Sequence, residues 1–450
     1  MPRTYWVETL GCPKNQVDSD KLTGTLAADG LVPAASPDEA DLVVVNTCAF
    51  VEEAREESVA TILALEERRA TGAELVVTGC MAERYGDELA RALPEVDAVA
   101  GFGVPVTLGR KPGADAGRGR GRSIPVSVET AVPTLDLLNL PRPRSERPWA
   151  YVKVAEGCDK ACGFCAIPSF RGPQRSRTVA SVLDEVRALQ VREVVLVAQD
   201  LAAYGRDRSG DGRVEAPSGT TPIAELVRAV ADEVDRVRLL YLYPSELTDE
   251  LVELIATGPV PYFDLSLQHV SAPLVRRMRR WGDGERFLRR IDAIRDLRPD
   301  AAFRSNFIVG YPGETEEDHD QLLDFVQAAQ LDWCGFFSYS DEEGTYAAGL
   351  DGHVDDRLVG ERLAELRELQ DRITAERRDA LVGERTVVLV DEPGVARSHR
   401  EAPEIDGIVE VPEDLAVGEL HLVEVTAAAG PDLTAAPVGD RAAAGAVRSP

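Results

Sequence analysis

At 450 residues, 44% of them apolar, the chain is too long for one ordinary core, and two or three domains are expected. The start, MPRTYWVETLGC, lacks the cationic head and apolar core of a signal peptide, and no uncharged apolar run reaches the roughly 18 residues a bilayer span needs. Secretion and membrane insertion are therefore not expected, and the protein is read as cytoplasmic. A formal charge of −28 makes an unsteered approach to a nucleic-acid backbone repulsive and favours a basic protein partner, although such acidity also serves plain solubility.

The seven cysteines, Cys12, Cys48, Cys80, Cys158, Cys162, Cys165 and Cys334, suit no disulfide framework in a reducing compartment, which leaves metal binding or redox chemistry as the default. The amino-terminal part repeats one arrangement in YWVETLGC, DLVVVNTC and ELVVTGC: a short apolar run, a cysteine, then a helical pattern. In a parallel α/β sheet, side chains at the carboxyl ends of strands project into a shared crevice. One site built from Cys12, Cys48 and Cys80 is expected. The Gly- and Arg-rich stretch at 109–123 and the proline-rich PRPRSERP at 141–148 mark an irregular connection that closes the first domain. The Arg/Gly run lacks the interleaved aromatics that stack on bases, so a solvated loop is preferred to an RNA contact.

From residue 149, six β-like runs, WAYVKVAE, VREVVLVAQ, RVRLLYLY, YFDLSLQH, AAFRSNFIVG and WCGFFSYS, alternate with amphipathic segments. A partial (βα)6 barrel follows, with its strand ends and their loops on one face. The insert at 205–221 reads as a long surface loop, and a charged helix over about 356–382 ends at Gly383. TVVLVDE, GIVEVP and ELHLVEVT then form a small all-β module that resembles an oligonucleotide-binding-like barrel. Residues 381–428 hold eleven acids against three arginines, with no lysine and no Trp, Tyr or Phe, so RNA binding by the module is not expected. The Ala/Gly/Pro-rich tail from about 429 is expected to be disordered.

The first barrel run is followed by EGCDKACGFCAIPSFRGPQRSR, which spaces Cys158, Cys162 and Cys165 as C-x-x-x-C-x-x-C. Three thiolates in a short loop can bind three irons of a cubane and leave the fourth open to a small-molecule chelate. A structural zinc wants four ligands, and no fourth Cys or His lies in this loop. Phe164, between the last two cysteines, is placed to shield a cluster or to pack on a bound adenine.

The triad with this spacing, after the first strand of a partial barrel, resembles the radical S-adenosylmethionine (SAM) superfamily. Together with LGCPKNQVDSD, VVNTCAF and VTGCMAERY upstream, the chain is similar over nearly its whole length to the methylthiotransferases of that superfamily. The resemblance implies two [4Fe-4S] clusters. One, on Cys158, Cys162 and Cys165, chelates SAM and cleaves it to a hydrogen-abstracting radical; the other is held by Cys12, Cys48 and Cys80. It also implies three domains: an α/β domain at 1–120, a radical SAM core at 144–376 and a TRAM-like β-barrel at 380–445.

LGCPKN, with Pro13 and Lys14, and the cluster loop are similar to the branch that modifies an aspartate of the small-subunit ribosomal protein numbered twelve. The implied partners are that basic protein, free or on the ribosome, and an electron donor such as flavodoxin or ferredoxin. Direct tRNA binding is not expected. The alternatives are a tRNA adenosine methylthiotransferase and a non-catalytic iron–sulfur protein that binds the ribosome.

NFIVGYPGET resembles the family's SAM-contacting segment and offers Gly310 and Gly313 for close backbone approach, or equally for a tight turn. Gln268 and His269 end the fourth run with open roles, and no catalytic acid or base is singled out. Cys334, in an apolar run, reads as a small buried hydrophobe. The stretch 276–299, with nine arginines and four acids, is expected to be one solvated helix whose apolar face comes from Met278, Phe287, Leu288 and Ile291. Arg171, Arg175 and Arg177 are placed to grip a bound carboxylate.

Overall fold

A computed structural model describes residues 2–106, 136–208 and 220–438. The Arg/Gly stretch at 109–123 and most of the expected loop at 205–221 lie outside them. The chain divides into two units: Met1–Pro143 with Ala166–Pro173, and Arg144–Cys165 with Gln174–Pro450.

The first unit is a parallel sheet of β1 (Thr4–Thr9), β2 (Val32–Pro33), β3 (Leu42–Thr47), β4 (Glu74–Gly79) and β5 (Ala98–Ala100), in the order β2-β1-β3-β4-β5. Every residue of β3 is buried, as expected of a central strand covered on both faces. Val43 and Val45 pack on one side with Ile62 and Leu65, and Val44 on the other with Leu22 and Leu26; each such side chain contributes about 1.5–3 kcal/mol on burial. The helices are α1 (Pro13–Ala28), α2 (Glu52–Arg68), α3 (Cys80–Ala92) and the short α4 (Ile167–Arg171). Helix α1 buries Lys14, Asn15, Asp18, Ser19 and Lys21, so its inward face is polar. The Nζ of Lys21, fully buried, donates to the carbonyl of Leu138 at 2.6 Å.

The second unit begins with β6 (Trp149–Lys153), a small hairpin of β7 (Ala155–Glu156) and β8 (Arg175–Ser176), α5 (Val179–Leu189), β9 (Glu193–Val197), α6 (Pro222–Ala231) and β10 (Arg236–Leu239). It continues through α7 (Asp249–Thr257), β11 (Tyr262–Gln268), α8 (Ala272–Arg277), α9 (Gly284–Leu297), β12 (Ala302–Val309), α10 (Glu316–Ala329), β13 (Trp333–Ser338) and α11 (Asp356–Asp379). Strands β10-β9-β6 and β11-β12-β13 form two parallel sheets. A parallel bridge between Leu242 and Leu265 joins them into one arc of six, the partial barrel expected from the alternating runs. Alternate residues such as Val152, Val194, Leu196, Phe263, Phe307 and Phe336 face the helices in one continuous core.

The expected single helix over 276–299 is two helices. Helix α8 ends at Arg277, and α9 starts only at Gly284, because Arg279 (φ 55°) and Gly282 (φ 107°) turn the chain out of the helical region between them. Met278, Phe287 and Ile291 are buried, with Leu288 packed part-buried beside the core.

A closed barrel of β14 (Arg385–Glu392), β15 (Val395–Arg397), β16 (Val409–Glu410), β17 (Leu420–Ala429) and β18 (Asp432–Pro437) ends the unit. The tail from 429 is thus not irregular throughout. Residues 432–437 pair with β17 and β16, and their alternation buries Leu433 and Ala435, which supplies the driving force that composition hid.

The loop 398–406 of this module closes the amino-terminal end of the six-stranded arc. Tyr151 donates to the carbonyl of Pro403 at 2.6 Å, Tyr262 to Asp406 at 2.6 Å, Trp333 to the carbonyl of Arg400 at 2.7 Å, and Arg238 to that of His399 at 2.9 Å. Glu193, fully buried, is 2.8 Å from Arg238 and 3.2 Å from Arg397. Glu401 pairs with Arg378 at 2.6 Å. Three of the module's acids, Asp391, Glu401 and Asp406, are therefore spent on internal arginine or tyrosine partners, and the module's outward charge is smaller than its composition implies.

Candidate functional site

The two cysteine trios lie in different units. In the first unit, β1, β3 and β4 are consecutive neighbours in the sheet, and Cys12, Cys48 and Cys80 each follow the carboxyl end of one of them. Cys12 caps α1 and Cys80 opens α3, so both thiols meet the partial positive charge of a helix start. Glycine precedes both. Gly11 and Gly79 each have φ 91°; a Cβ on Gly11 would stand 2.9 Å from the Sγ of Cys48, and one on Gly79 2.3 Å from the Oδ1 of Asn46. Only glycine lets the backbone turn this sharply and this closely.

Asn15 ties the trio together. Its Nδ2 donates to the carbonyls of Leu10 at 2.9 Å and Thr47 at 3.0 Å, and its Oδ1 lies 3.6 Å from the Sγ of Cys80. Arg171, on α4, donates to that Oδ1 at 2.9 Å and to the Sγ of Cys80 at 3.0 Å. The trio is electrostatically uneven. Burial opposes ionisation of Cys12, but Lys14, Arg171 and the helix-start N–H groups outweigh it and lower its pKa. Burial pushes Cys48 up to about 12, with the neighbouring Cys12 adding to the effect; it also raises Cys80 against the pull of Arg171.

In the second unit, the loop carrying Cys158, Cys162 and Cys165 leaves the carboxyl end of β7. Gly163 threads a narrow gap: its N–H donates to Met278 and its carbonyl accepts from Ala347, both at 2.8 Å. A Cβ there would lie 2.8 Å from the Tyr311 hydroxyl. Phe164 packs part-buried with Leu274, Met278, Tyr311 and Ala347. The Lys160 N–H points at the Sγ of Cys158 at 3.4 Å, and Arg280 donates to the Sγ of Cys162 at 3.2 Å and to the carbonyl of Ser266. Burial raises Cys158 to about 11.

Lys160 and Arg280 both lie over the ring of Tyr243, 4.5 and 4.2 Å from its centroid. Burial opposes the charge of Lys160, but Glu246 at 2.7 Å and Asp200 at 3.5 Å outweigh it and raise its pKa. Arg280, Lys160 and Tyr243 were not separable by sequence: Arg280 is one of nine arginines in its stretch, and its contact with Cys162 spans 118 residues. The local sequence signal that the run is broken there is Gly282-Asp283-Gly284, just after Arg280.

Several expected contacts fall elsewhere. The N–H of Gly310 is taken by Glu314 at 2.6 Å, and a Cβ there would strike Val359 at 2.5 Å. The N–H of Gly313 is taken by the Gly352 carbonyl at 2.7 Å. Neither N–H is left to donate to a ligand. Arg177 is buried against Glu185 at 2.5 Å, so it is a structural ion pair and no carboxylate grip; Arg171 faces the amino-terminal trio instead. Arg175 lies half-buried in β8. His269 is fully buried, with its Nδ1 accepting the Ser271 N–H at 3.1 Å. Gln268 has φ 73° where β11 slips register. Cys334 packs part-buried against the barrel core, and burial raises its pKa strongly.

Each trio offers sulfur donors. Among the described residues, no group of three or more His, Cys, Asp or Glu side chains is placed to hold a single metal ion; a cubane spreads its thiolates one to an iron, which is a different geometric demand.

Residues 4–101 match the family described as uncharacterized protein family UPF0004, 152–326 the radical SAM superfamily and 382–438 the TRAM domain. Three curated relatives carry the name ribosomal protein uS12 methylthiotransferase RimO. The one from Cutibacterium acnes is 42% identical, covering 96% of this chain and 98% of its own. That from Saccharopolyspora erythraea is 43% identical, covering 96% and 94%, and that from Moorella thermoacetica 43%, covering 93% and 96%.

Proposed function

Because the chain belongs to the RimO family of ribosomal protein uS12 methylthiotransferases, we propose that it adds a methylthio group to the β-carbon of an aspartate in uS12, in the cytoplasm. It is a radical SAM methylthiotransferase. In this reading, Cys158, Cys162 and Cys165 hold one [4Fe-4S] cluster, and Cys12, Cys48 and Cys80 a second. The observation that most supports it is the placement of three cysteines at the ends of three adjacent strands, apart from the C-x-x-x-C-x-x-C loop.

When bound, the loop cluster supplies the electron that cleaves SAM, and the second cluster a site for sulfur. The protein's part is to orient and to exclude. Met278 and Ala347 clamp the loop through Gly163, Arg280 and the Lys160 N–H hold the sulfurs of Cys162 and Cys158, and Phe164 with its apolar neighbours keeps water from that side. Phe164, Gly310 and Gly313 are the positions assigned to flank SAM; with both glycine N–H groups engaged, their contribution is shape. The proposed electron donor is a flavodoxin or ferredoxin. The partner is uS12, and its attraction to the exposed acids Glu384, Glu392, Glu410, Glu413 and Asp414 acts chiefly on the rate of encounter.

The test is anaerobic reconstitution with iron, sulfide, SAM and reductant, offered a uS12 peptide and bulk tRNA in parallel, then mass analysis. One methylthio group on the peptide's aspartate with unmodified tRNA is expected. Modified tRNA with an untouched peptide would overturn the reading.

A further inference from the structure

Resting on the assignment of a cluster to Cys12, Cys48 and Cys80, we propose that Arg171 and Asp18 form an opposed charge pair that sets the reduction potential of that cluster through the sulfur of Cys80. Arg171 is a positioning residue: it touches a ligand atom and no substrate.

Both residues are withdrawn from solvent. The side chains of Arg171 and Asp18 are each 2% exposed, with Nη1 3.6 Å from Oδ2. The other fork nitrogen of Arg171 reaches the Sγ of Cys80 at 3.0 Å and the Oδ1 of Asn15 at 2.9 Å, and the guanidinium lies over the Phe102 ring, 4.5 Å from its centroid. The fork is thus fixed on three sides, which a flexible ammonium could not reproduce. A hydrogen bond and a positive charge at a cluster sulfur favour the more negative, reduced state, and a nearby carboxylate opposes it. Burial keeps both effects large. The pair is also unequal in its reach, since the arginine contacts the sulfur and the aspartate acts across it. The direct contact of the guanidinium with the trio is at the Sγ of Cys80, and its charge acts on Cys12 and Cys48 through space.

The experiment uses the full-length chain with Cys158, Cys162 and Cys165 all changed to Ala, leaving only the upstream trio. Iron content is measured first, and the midpoint potential then by redox titration followed by electron paramagnetic resonance. Arg171→Met should lower the reduced-to-oxidised ratio at a fixed potential at least tenfold, about 59 mV for one electron. Asp18→Asn should shift it the opposite way, and Arg171→Lys should fall between Arg171→Met and the parent. If Arg171→Met takes up no iron, Asp18→Asn and Arg171→Lys decide by the same signs. Unchanged potentials at parental iron content would overturn the inference, since a purely structural arginine moves stability and not potential. A parent that binds no iron would instead overturn the cluster assignment itself, and this inference with it; the iron count separates the two failures.

Discussion

Arg397 of the carboxyl-terminal module lies 3.2 Å from Glu193 at the start of β9, 204 residues away in sequence, and neither side chain is more than 2% exposed. Glu193 also carries Arg238 at 2.8 Å. Burial opposes its charge, yet Arg397, Arg238 and Arg236 outweigh that and hold its pKa near 2. Removing the carboxylate charge would strand these cations in a dry site. Glu193→Gln is expected to cost about 3–5 kcal/mol, read as a lowered denaturant midpoint for the second unit. A change under about 1 kcal/mol would show that the module does not brace the barrel.

The same contacts predict the fate of a truncation. A chain ending at residue 379 loses the partners of Tyr151, Tyr262, Trp333 and Arg238 and uncovers polar groups that were satisfied only by loop 398–406. It should be recovered as aggregate, while the full chain stays in solution; a soluble, monomeric truncation with an unchanged thermal transition contradicts this.

Stability should depend on pH through His269. Burial lowers its pKa from 6.5 to about 4, so between those values the unfolded chain binds a proton that the folded one refuses. Folding stability is complete above about 6.5 and is lost as pH falls toward 4, by about 3 kcal/mol over the interval. The slope of denaturation midpoint against pH in cluster-free protein reads this, and His269→Asn should reduce it, leaving the share of His399, whose pKa burial also lowers to about 4.

Arg280 and Arg279 are adjacent but differently engaged. Arg280 holds the Sγ of Cys162, whereas Arg279 stacks over Tyr346, 3.7 Å from the ring centroid. Arg280→Ala is expected to slow 5′-deoxyadenosine formation about 10–100-fold with iron retained, as loss of an outer partner of a metal ligand does. Arg279→Ala should have a much smaller effect, and equal losses in the two variants would refute the distinction.

Gly79→Ala tests the amino-terminal trio alone. The added methyl meets the Asn46 side chain and the Thr47 backbone, 2.3 and 2.6 Å away, at a φ that alanine resists. Reconstituted protein should lose about half its iron while still cleaving SAM; full iron content would show that the turn before Cys80 tolerates a side chain.

What could be read from sequence was local. The three strand-and-cysteine repeats and the six β-like runs carry their signal within ten residues or so, and each became a strand of the expected sheet or arc. What escaped was set by distant partners. Residues 432–437 look too rich in alanine for a strand, but β17 and β16 supply the pairing. Arg171 and Arg177 share one basic stretch, yet one turns to Cys80, 91 residues away, and the other to Glu185, 8 residues away. Composition made the carboxyl-terminal module a uniformly acidic surface, whereas Glu401 and Asp406 point into the fold because arginines from other elements wait there.

The most direct measurement is the iron and sulfide content of three anaerobically reconstituted proteins: the parent, the variant with Cys12, Cys48 and Cys80 changed to Ala, and the variant with Cys158, Cys162 and Cys165 changed to Ala. Two separate cubanes require about eight irons per parent chain and about four in each variant. An upstream variant that keeps the parent's iron content would contradict the two-cluster account.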